Sequence, residues 1–328
     1  MSSSDSDGSL AAIAWRGERV SRIMLGTVQL GLDYGIANTQ GRPDVKTATA
    51  IVETAWRHGI RHFDTGQAYG TSEAVLGQAL RDLGVSQEAC VETKLSTAMD
   101  PTDLTEVADS IERSFELLGV ERLWCMMLHR PYWLDYWDQG LGDLLRRHRD
   151  AGRIRHLGTS IHLPEEAPRY LTHPDMEVLQ VPCNAWDRRI PDLGVFDATA
   201  SNNQLCCVRS IYLKGLLALP IETVAERLPI AREASVRWHA IAARHGMSPP
   251  ALAVRFALSF ERPLVVGAES PEQVTDTIRL AGQGALPEEV IAEIRAALDP
   301  VVNDTIVTPQ RWEDIEDAVF NPSAMRHR

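Results

Sequence analysis

Short apolar, β-branched segments alternate along this chain with longer amphipathic ones, and eight such units can be counted. That rhythm demands a parallel sheet, because each strand is followed by enough residues for a crossover helix. The predicted strands are Ile23–Thr27, Arg61–Asp64, Ala89–Thr93, Leu123–Leu128, His156–Thr159, Glu177–Val181, Leu205–Arg209 and Leu264–Gly267. Between them Thr47–His58, Ser72–Leu83, Asp103–Leu118 and Gly140–Ala151 repeat apolar residues three and four apart, the spacing of a helix with one buried face. Pro101-Thr102-Asp103 opens the third of these helices and Gly119 closes it. Eight units in a row predict a (β/α)8 TIM barrel.

The flanks suit that reading. Ala14 to Val20 reads as a strand, a Gly17 turn and a returning strand, a hairpin able to plug one barrel mouth. The stretch from Arg209 to Leu264 exceeds one crossover helix and is expected to hold extra elements near Ile230–His245 and Pro250–Phe260. Residues beyond Asp299, with Trp312 and Phe320, form a tail expected to fold over the opposite mouth. Met1 to Ala12 is read as a disordered tail and 13–328 as a single barrel domain. An open, doubly wound sheet is the competing α/β fold, but Gly26, Gly31 and Gly35 lack the GxGxxG spacing that such a sheet uses to hold a dinucleotide.

Composition narrows the function. The 328 residues carry 33 Lys and Arg against 45 Asp and Glu, a formal charge of -12, with no basic cluster. Such a surface repels phosphate backbones and anionic lipid, so nucleic acid and membranes are poor partners. No apolar run approaches a membrane span, and the start lacks the features of a secretory signal, which predicts a cytoplasmic protein. The five cysteines, in mostly apolar runs without CxxC spacing, read as buried free thiols. Three-His metal spacing is absent, so no metal is expected; His156 and His162, near the active end, default to surface or hydrogen-bonded histidines.

Barrel enzymes carry their chemistry at the C-terminal ends of strands. Strand two ends in Asp64 and continues through Tyr69 into a helix expected to be capped by Ser72; strand three runs into Lys94, strand four into His129. Taken singly, Asp64 reads as a cap or turn residue, Tyr69 as a core aromatic and His129 as a loop start. Lys94 is harder to explain that way, since a lysine closing an apolar strand needs a partner. Together they make sense for reducing a carbonyl. A phenol is too weak an acid near neutral pH unless a cation lowers its pKa; Lys94 supplies the charge, Asp64 anchors the ammonium, and His129 orients the substrate oxygen.

The run Asp64-Thr-Gly-Gln-Ala-Tyr69-Gly70-x-Ser72-Glu73, followed by Lys94 and His129, resembles the aldo-keto reductases and their Asp-Tyr-Lys-His tetrad. The resemblance continues through Leu157 to Ser160, Gln180 to Asn184, Arg209-Ser210 with Gly215, and Val266 to Val274. It implies an oxidoreductase using NADP(H) or NAD(H) on a small-molecule carbonyl, with Tyr69 as general acid supported by Asp64, Lys94 and His129. It further implies that Asp64 touches the nicotinamide ribose and that Ser160 and Gln180 hold the carboxamide. Arg209 would stack on the nicotinamide. Ser210, Leu213 and Gly215 would wrap the pyrophosphate, and Gly267, Ala268, Glu269, Ser270 and Gln273 would hold the adenosine half.

Four departures stand out: Ile161 and Thr277 where the family often has Asn, Arg209 where it often has an aromatic ring, and Glu269 with Glu272 where NADP-specific members place bases. Acids beside a phosphate repel it, so NAD and NADP both stay open. Tyr132 to Trp137 is either a wall of the substrate pocket or packing on the barrel rim or a subunit partner, and Trp186 is equally ambiguous. The substrate is expected to be polar, sugar-like or polyketide-like, and the protein a monomer or small homo-oligomer. The rival is a redox sensor that keeps the cofactor with little turnover; a metal-dependent hydrolase is disfavoured by the missing ligand clusters.

Overall fold

The structure, a computed structural model, describes residues 12–39 and 41–312. An antiparallel hairpin, β1 (Ala12–Trp15) and β2 (Glu18–Ser21), precedes eight strands that close into a barrel. These are β3 (Ile23–Gly26), β4 (His62–Asp64), β5 (Cys90–Leu95), β6 (Leu123–Leu128), β7 (Ile154–Ser160), β8 (Val178–Pro182), β9 (Leu205–Arg209) and β10 (Leu264–Gly267). Each barrel strand runs parallel to its neighbours, and β10 closes the ring by pairing with both β9 and β3. All eight predicted strands are therefore present, three with the predicted bounds.

Strand alternation divides the barrel into two surfaces. Val91, Leu95, Met126, Leu128, Leu179, Val181 and Cys206 face outward into the main core beneath the helices. Cys125, Met127, Val178 and Cys207, at the intervening positions, pack inside with Met24, Val265 and the hairpin's Trp15 and Val20. Trp15 closes the N-terminal mouth: its ring lies 4.7 Å from His156 and 6.5 Å from Trp124, and its indole N–H donates to the Asn203 carbonyl at 3.1 Å. Burying an indole of roughly 200 Å² at about 25 cal/mol per Å² contributes on the order of 5 kcal/mol. The hairpin is thus a plug, as predicted. Around it His156 sits between Glu18 at 2.8 Å and Glu177 at 2.9 Å, so this histidine belongs to the barrel floor rather than the active end.

The helices follow the sequence signals closely. Leu104–Leu118 is capped by Asp103, whose carboxylate accepts from Thr105 N at 3.1 Å and Glu106 N at 3.0 Å, and it stops at Gly119 with φ of +68°. One expectation fails: Ser72 opens the helix Ser72–Asp82 instead of capping it. Its hydroxyl donates to the Thr27 carbonyl at 2.7 Å and bonds Thr65 at 2.9 Å, tying the loop after β4 to the end of β3.

The stretch between β9 and β10 holds Arg232–Arg244 and Pro249–Leu258, which bury a second core with Glu288–Leu298. Trp186 lies in that second core, and Trp133, Leu134 and Trp137 pack on the main one within a 3-10 turn over Pro131–Gln139, so the rim alternative holds for both. The tail reaches the C-terminal mouth, where Val307, Pro309 and Gln310 line a cavity. The segments expected as the N-terminal tail (as far as residue 11) and around Phe320 lie outside the described residues; Ala12 already belongs to β1. Cys125, Cys183, Cys206 and Cys207 are buried free thiols, and Cys90 is half-buried. No helix among the described residues is long and apolar enough to cross a membrane.

Candidate active site

A cavity of about 700 Å³ opens at the C-terminal mouth, opposite the hairpin. Asp64, Tyr69 and His129 line it, brought together by the ends of β4 and β6 and the loop after β4. Tyr69 and His129 meet edge to face with ring centres 5.6 Å apart. Lys94, fully buried at the end of β5, lies beneath them with its ammonium 5.0 Å from the Tyr69 ring centre. It donates to Asp64 Oδ1 and, at 2.7 Å, to the Thr65 carbonyl. The four tetrad candidates therefore form one cluster.

Electrostatics follow from burial and this pairing. Burial works to raise the Asp64 carboxyl, but the Lys94 ammonium and the donors around it hold it below the usual range. Burial works against the Lys94 charge, yet Asp64, Tyr69 and Glu92 raise its pKa. Burial raises the Tyr69 phenol, and Lys94 offsets part of that rise. Burial, with Lys94 and Arg209 nearby, pushes His129 down to about 3, so its imidazole is neutral. Its Nδ1 has no partner among the described residues.

The remaining predicted residues divide into two groups. Ser160, Arg209, Ser210, Leu213, Gly215, Gly267, Glu269 and Gln273 line the cavity. Arg209 donates to the Ile161 carbonyl at 2.9 Å and to Ser210 Oγ at 3.1 Å. Gln180, Ala268 and Ser270 are not in the wall. Gln180 lies beneath it, fully buried, its amide nitrogen donating to Asp64 Oδ1 at 2.7 Å and to Glu92 Oε1 at 2.9 Å. Ala268 packs in the core, and Ser270 caps the helix Pro271–Ala281 by accepting from Gln273 N.

Sequence reasoning missed Gln29, Tyr34, Arg130 and Gln310 as lining residues, together with Glu92 under the floor, and placed His162 there only by default. Glu92 was the one with a usable signal: it precedes Lys94 by two in a strand and so shares its inward face.

The residues present fit a dinucleotide. Ser210, Leu213 and Lys214 hold left-handed backbone, with φ of +61°, +49° and +53°, a conformation that side-chained residues adopt where a ligand loop requires it. A Cβ on Gly215 would lie 2.6 Å from the Ala37 methyl, so the loop passes close against the Gly35–Asn38 segment, and Ile36 N donates to the Lys214 carbonyl at 2.9 Å across the cavity edge. Gln29 Oε1 is buried there without a donor among the described residues.

The profile of the Aldo/keto reductase family matches residues 22–299. The chain is 27% identical to a D-threo-aldose 1-dehydrogenase from Pseudomonas sp., over 81% of this chain and 93% of that one. It is 26% identical to the aldo-keto reductase YhdN of Bacillus subtilis, over 63% of this chain and 62% of the relative's length. In fold it superposes on a glycerol dehydrogenase from Gluconobacter oxydans with a TM-score of 0.72, at 23% identity over 89% of this chain and 96% of that one. With a family profile spanning the whole barrel and homologous dehydrogenases and reductases, the chain belongs to the aldo/keto reductase family and is an NAD(P)-dependent oxidoreductase.

Proposed function

We propose that the protein reduces the aldehyde or ketone of a small, polyhydroxylated, sugar-like molecule, or oxidises the matching alcohol, with Tyr69 as proton donor and NAD(H) as cofactor. The observation carrying this is the buried Lys94–Asp64 pair beneath Tyr69 and His129 at one end of the cavity. When bound, the nicotinamide supplies or takes the hydride. Tyr69 gives its phenolic proton to the incipient alkoxide, and the Lys94 charge stabilises the phenolate left behind. Asp64 holds Lys94 in place. His129, neutral at working pH, orients the carbonyl oxygen through a hydrogen bond.

Ser160, Arg209, Ser210, Leu213 and Gly215 are the residues that would hold the nicotinamide and pyrophosphate, and Gly267, Glu269 and Gln273 the adenosine. The preference for NAD(H) rests on charge. On the wall formed by the loop after β10 and its helix, Glu269 and Asp276 stand with Arg279, and Arg279 is already paired to Asp276 at 3.2 Å. A ribose 2′-phosphate placed there meets acids and no uncommitted arginine. The sugar-like substrate draws support from the Pseudomonas relative, which is named for an aldose, and from the polar side chains of Arg130, His162 and Gln310 among the lining residues.

The test is titration of the purified protein with NADH and NADPH separately, followed by quenching of tryptophan fluorescence, then a panel of aldoses and hydroxyaldehydes assayed by loss of cofactor absorbance. Binding with turnover supports the reading. Binding without turnover on any carbonyl or alcohol points instead to a redox sensor, and no binding of either cofactor overturns both.

A further inference from the structure

Inside the barrel, one step below the tetrad, stands an acid that the chemistry above does not use. Glu92 is fully buried on β5 and pairs in register with Asp64 of β4 and Cys125 of β6. The two carboxyl groups stand side by side on neighbouring strands, close enough that one amide nitrogen, Gln180 Nε2, reaches both. Gln180 braces the pair by donating to both, at 2.7 Å to Asp64 and 2.9 Å to Glu92 Oε1. Among the described residues no donor reaches Glu92 Oε2, so an ionised Glu92 would leave half its charge unanswered in the interior.

The groups facing Glu92 from the surrounding strands are Asp64 on β4, Lys94 on its own strand, Cys125 on β6, and Cys207 on β9. Burial pushes both thiols well up, so neither carries charge. Lys94 is the sole cation in this set, and Asp64 already claims it. With Glu92 neutral the cluster sums to zero; with Glu92 ionised it would carry a net negative charge under Tyr69, and that charge would oppose loss of the phenolic proton.

We propose that Glu92 is a positioning residue of the reaction: it stays protonated and donates to Asp64, drawing Asp64 charge away from Lys94 so that the ammonium acts on Tyr69. Burial and the Asp64 charge both favour the protonated acid. The proposal rests on Tyr69 being the proton donor, but its central claim, a neutral carboxylic acid at residue 92, is observable without turnover.

Two substitutions separate the possibilities. Glu92→Gln keeps a donor toward Asp64 and an acceptor for Gln180; Glu92→Met keeps volume and removes both. The readouts are the pH profile of kcat/KM for alcohol oxidation, which reports Tyr69 ionisation in the free enzyme, and the cofactor Kd from tryptophan quenching. The expected result is an unmoved acidic limb, the rise in activity as Tyr69 ionises, and kcat within about twofold in Glu92→Gln, and in Glu92→Met that limb raised by about one pH unit with kcat down about tenfold, cofactor Kd changing less than about threefold in either.

A limb displaced equally in both variants, or in neither, overturns the proposal. If Glu92→Met does not fold or no substrate is found, infrared difference spectra of wild type against Glu92→Gln decide it. A protonated-carboxyl C=O band that persists from about pH 6 to 9, well above the ordinary glutamate pKa, and vanishes in Glu92→Gln is expected. Its absence from the wild type overturns the proposal, while failure of Glu92→Gln to fold with near wild-type stability would equally contradict a neutral, replaceable acid.

Discussion

The Lys94 ammonium lies 5.0 Å from the centre of the Tyr69 ring while donating to Asp64, so one buried cation stands against both a carboxylate and a phenol ring. Replacing Lys94 by Met therefore does two things. It removes the charge that offsets burial at Tyr69, and it strands Asp64 without its cation. Activity should fall at least about 100-fold and stability by about 3–5 kcal/mol. The sign with pH is diagnostic. Wild-type Asp64, with its pKa held low, contributes stability above the ordinary aspartate range and loses it as pH falls. In the variant the stranded carboxyl takes up a proton, so the deficit should shrink as pH drops from 8 to 6 in urea melts, and a constant deficit would refute the pairing as its cause.

Tyr69→Phe should lower turnover by about 10²–10⁴-fold while NADH quenching stays within about threefold, because the ring remains and only the proton is lost. Unchanged turnover would remove Tyr69 from its proposed role.

Glu269→Arg should raise the NADPH to NADH affinity ratio at least about tenfold by placing a cation where the cavity wall now presents an acid. Separate fluorescence titrations measure it. No change would mean that residue 269 does not face the ribose.

Gly31→Ala tests how tightly the Tyr69 loop is set. A Cβ on Gly31 would stand 1.9 Å from the Tyr69 carbonyl oxygen and 2.5 Å from Ser72 N, both backbone atoms that cannot swing aside. The expected outcome is a loss of about 1–3 kcal/mol in stability with kcat reduced further than cofactor affinity. Equal loss of both would place the strain elsewhere.

His62 gives a pH prediction away from the site. Burial pushes it down to about 4, against an opposing pull from Glu18, so the unfolded chain binds a proton that the folded one refuses between about pH 6.5 and 4. Wild type should lose stability relative to His62→Gln as pH falls through that window, by up to about 1.4 kcal/mol per pH unit, while the other titrations largely cancel in the difference. Parallel stability curves would show that His62 is charged in the fold.

Much of this was legible in advance because it rests on local pattern. Strands such as Leu123–Leu128 and Leu205–Arg209 are continuous apolar runs bounded by turn residues, and the helix after Asp103 carries its own cap and stop. The tetrad was legible because each member ends a strand or follows it, and barrels bring those ends together. What escaped depends on which side chains meet across the ring. Gln180 reads from sequence as a ligand contact, and the bonds of its amide nitrogen to Asp64 and Glu92 could not be read there. Ser270, expected as an adenosine contact, also caps a helix, a role its sequence position did not single out. Ser72 reads as a cap and instead ties two loops, its hydroxyl bonded to Thr27 and Thr65. Tyr34 and Gln310 come from segments far apart in the chain and join the cavity only through the fold.

The hairpin plug fills the end of the barrel opposite the cavity. Trp15 and the apolar layer of Met24, Cys125, Met127 and Cys207 pack below the tetrad, so the cavity mouth is the open side of the site. On the proposed chemistry each turnover spends the Tyr69 proton, and its replacement is expected through that mouth, past the site the product has just left. Solvent isotope effects should accordingly follow product departure rather than any step within the barrel.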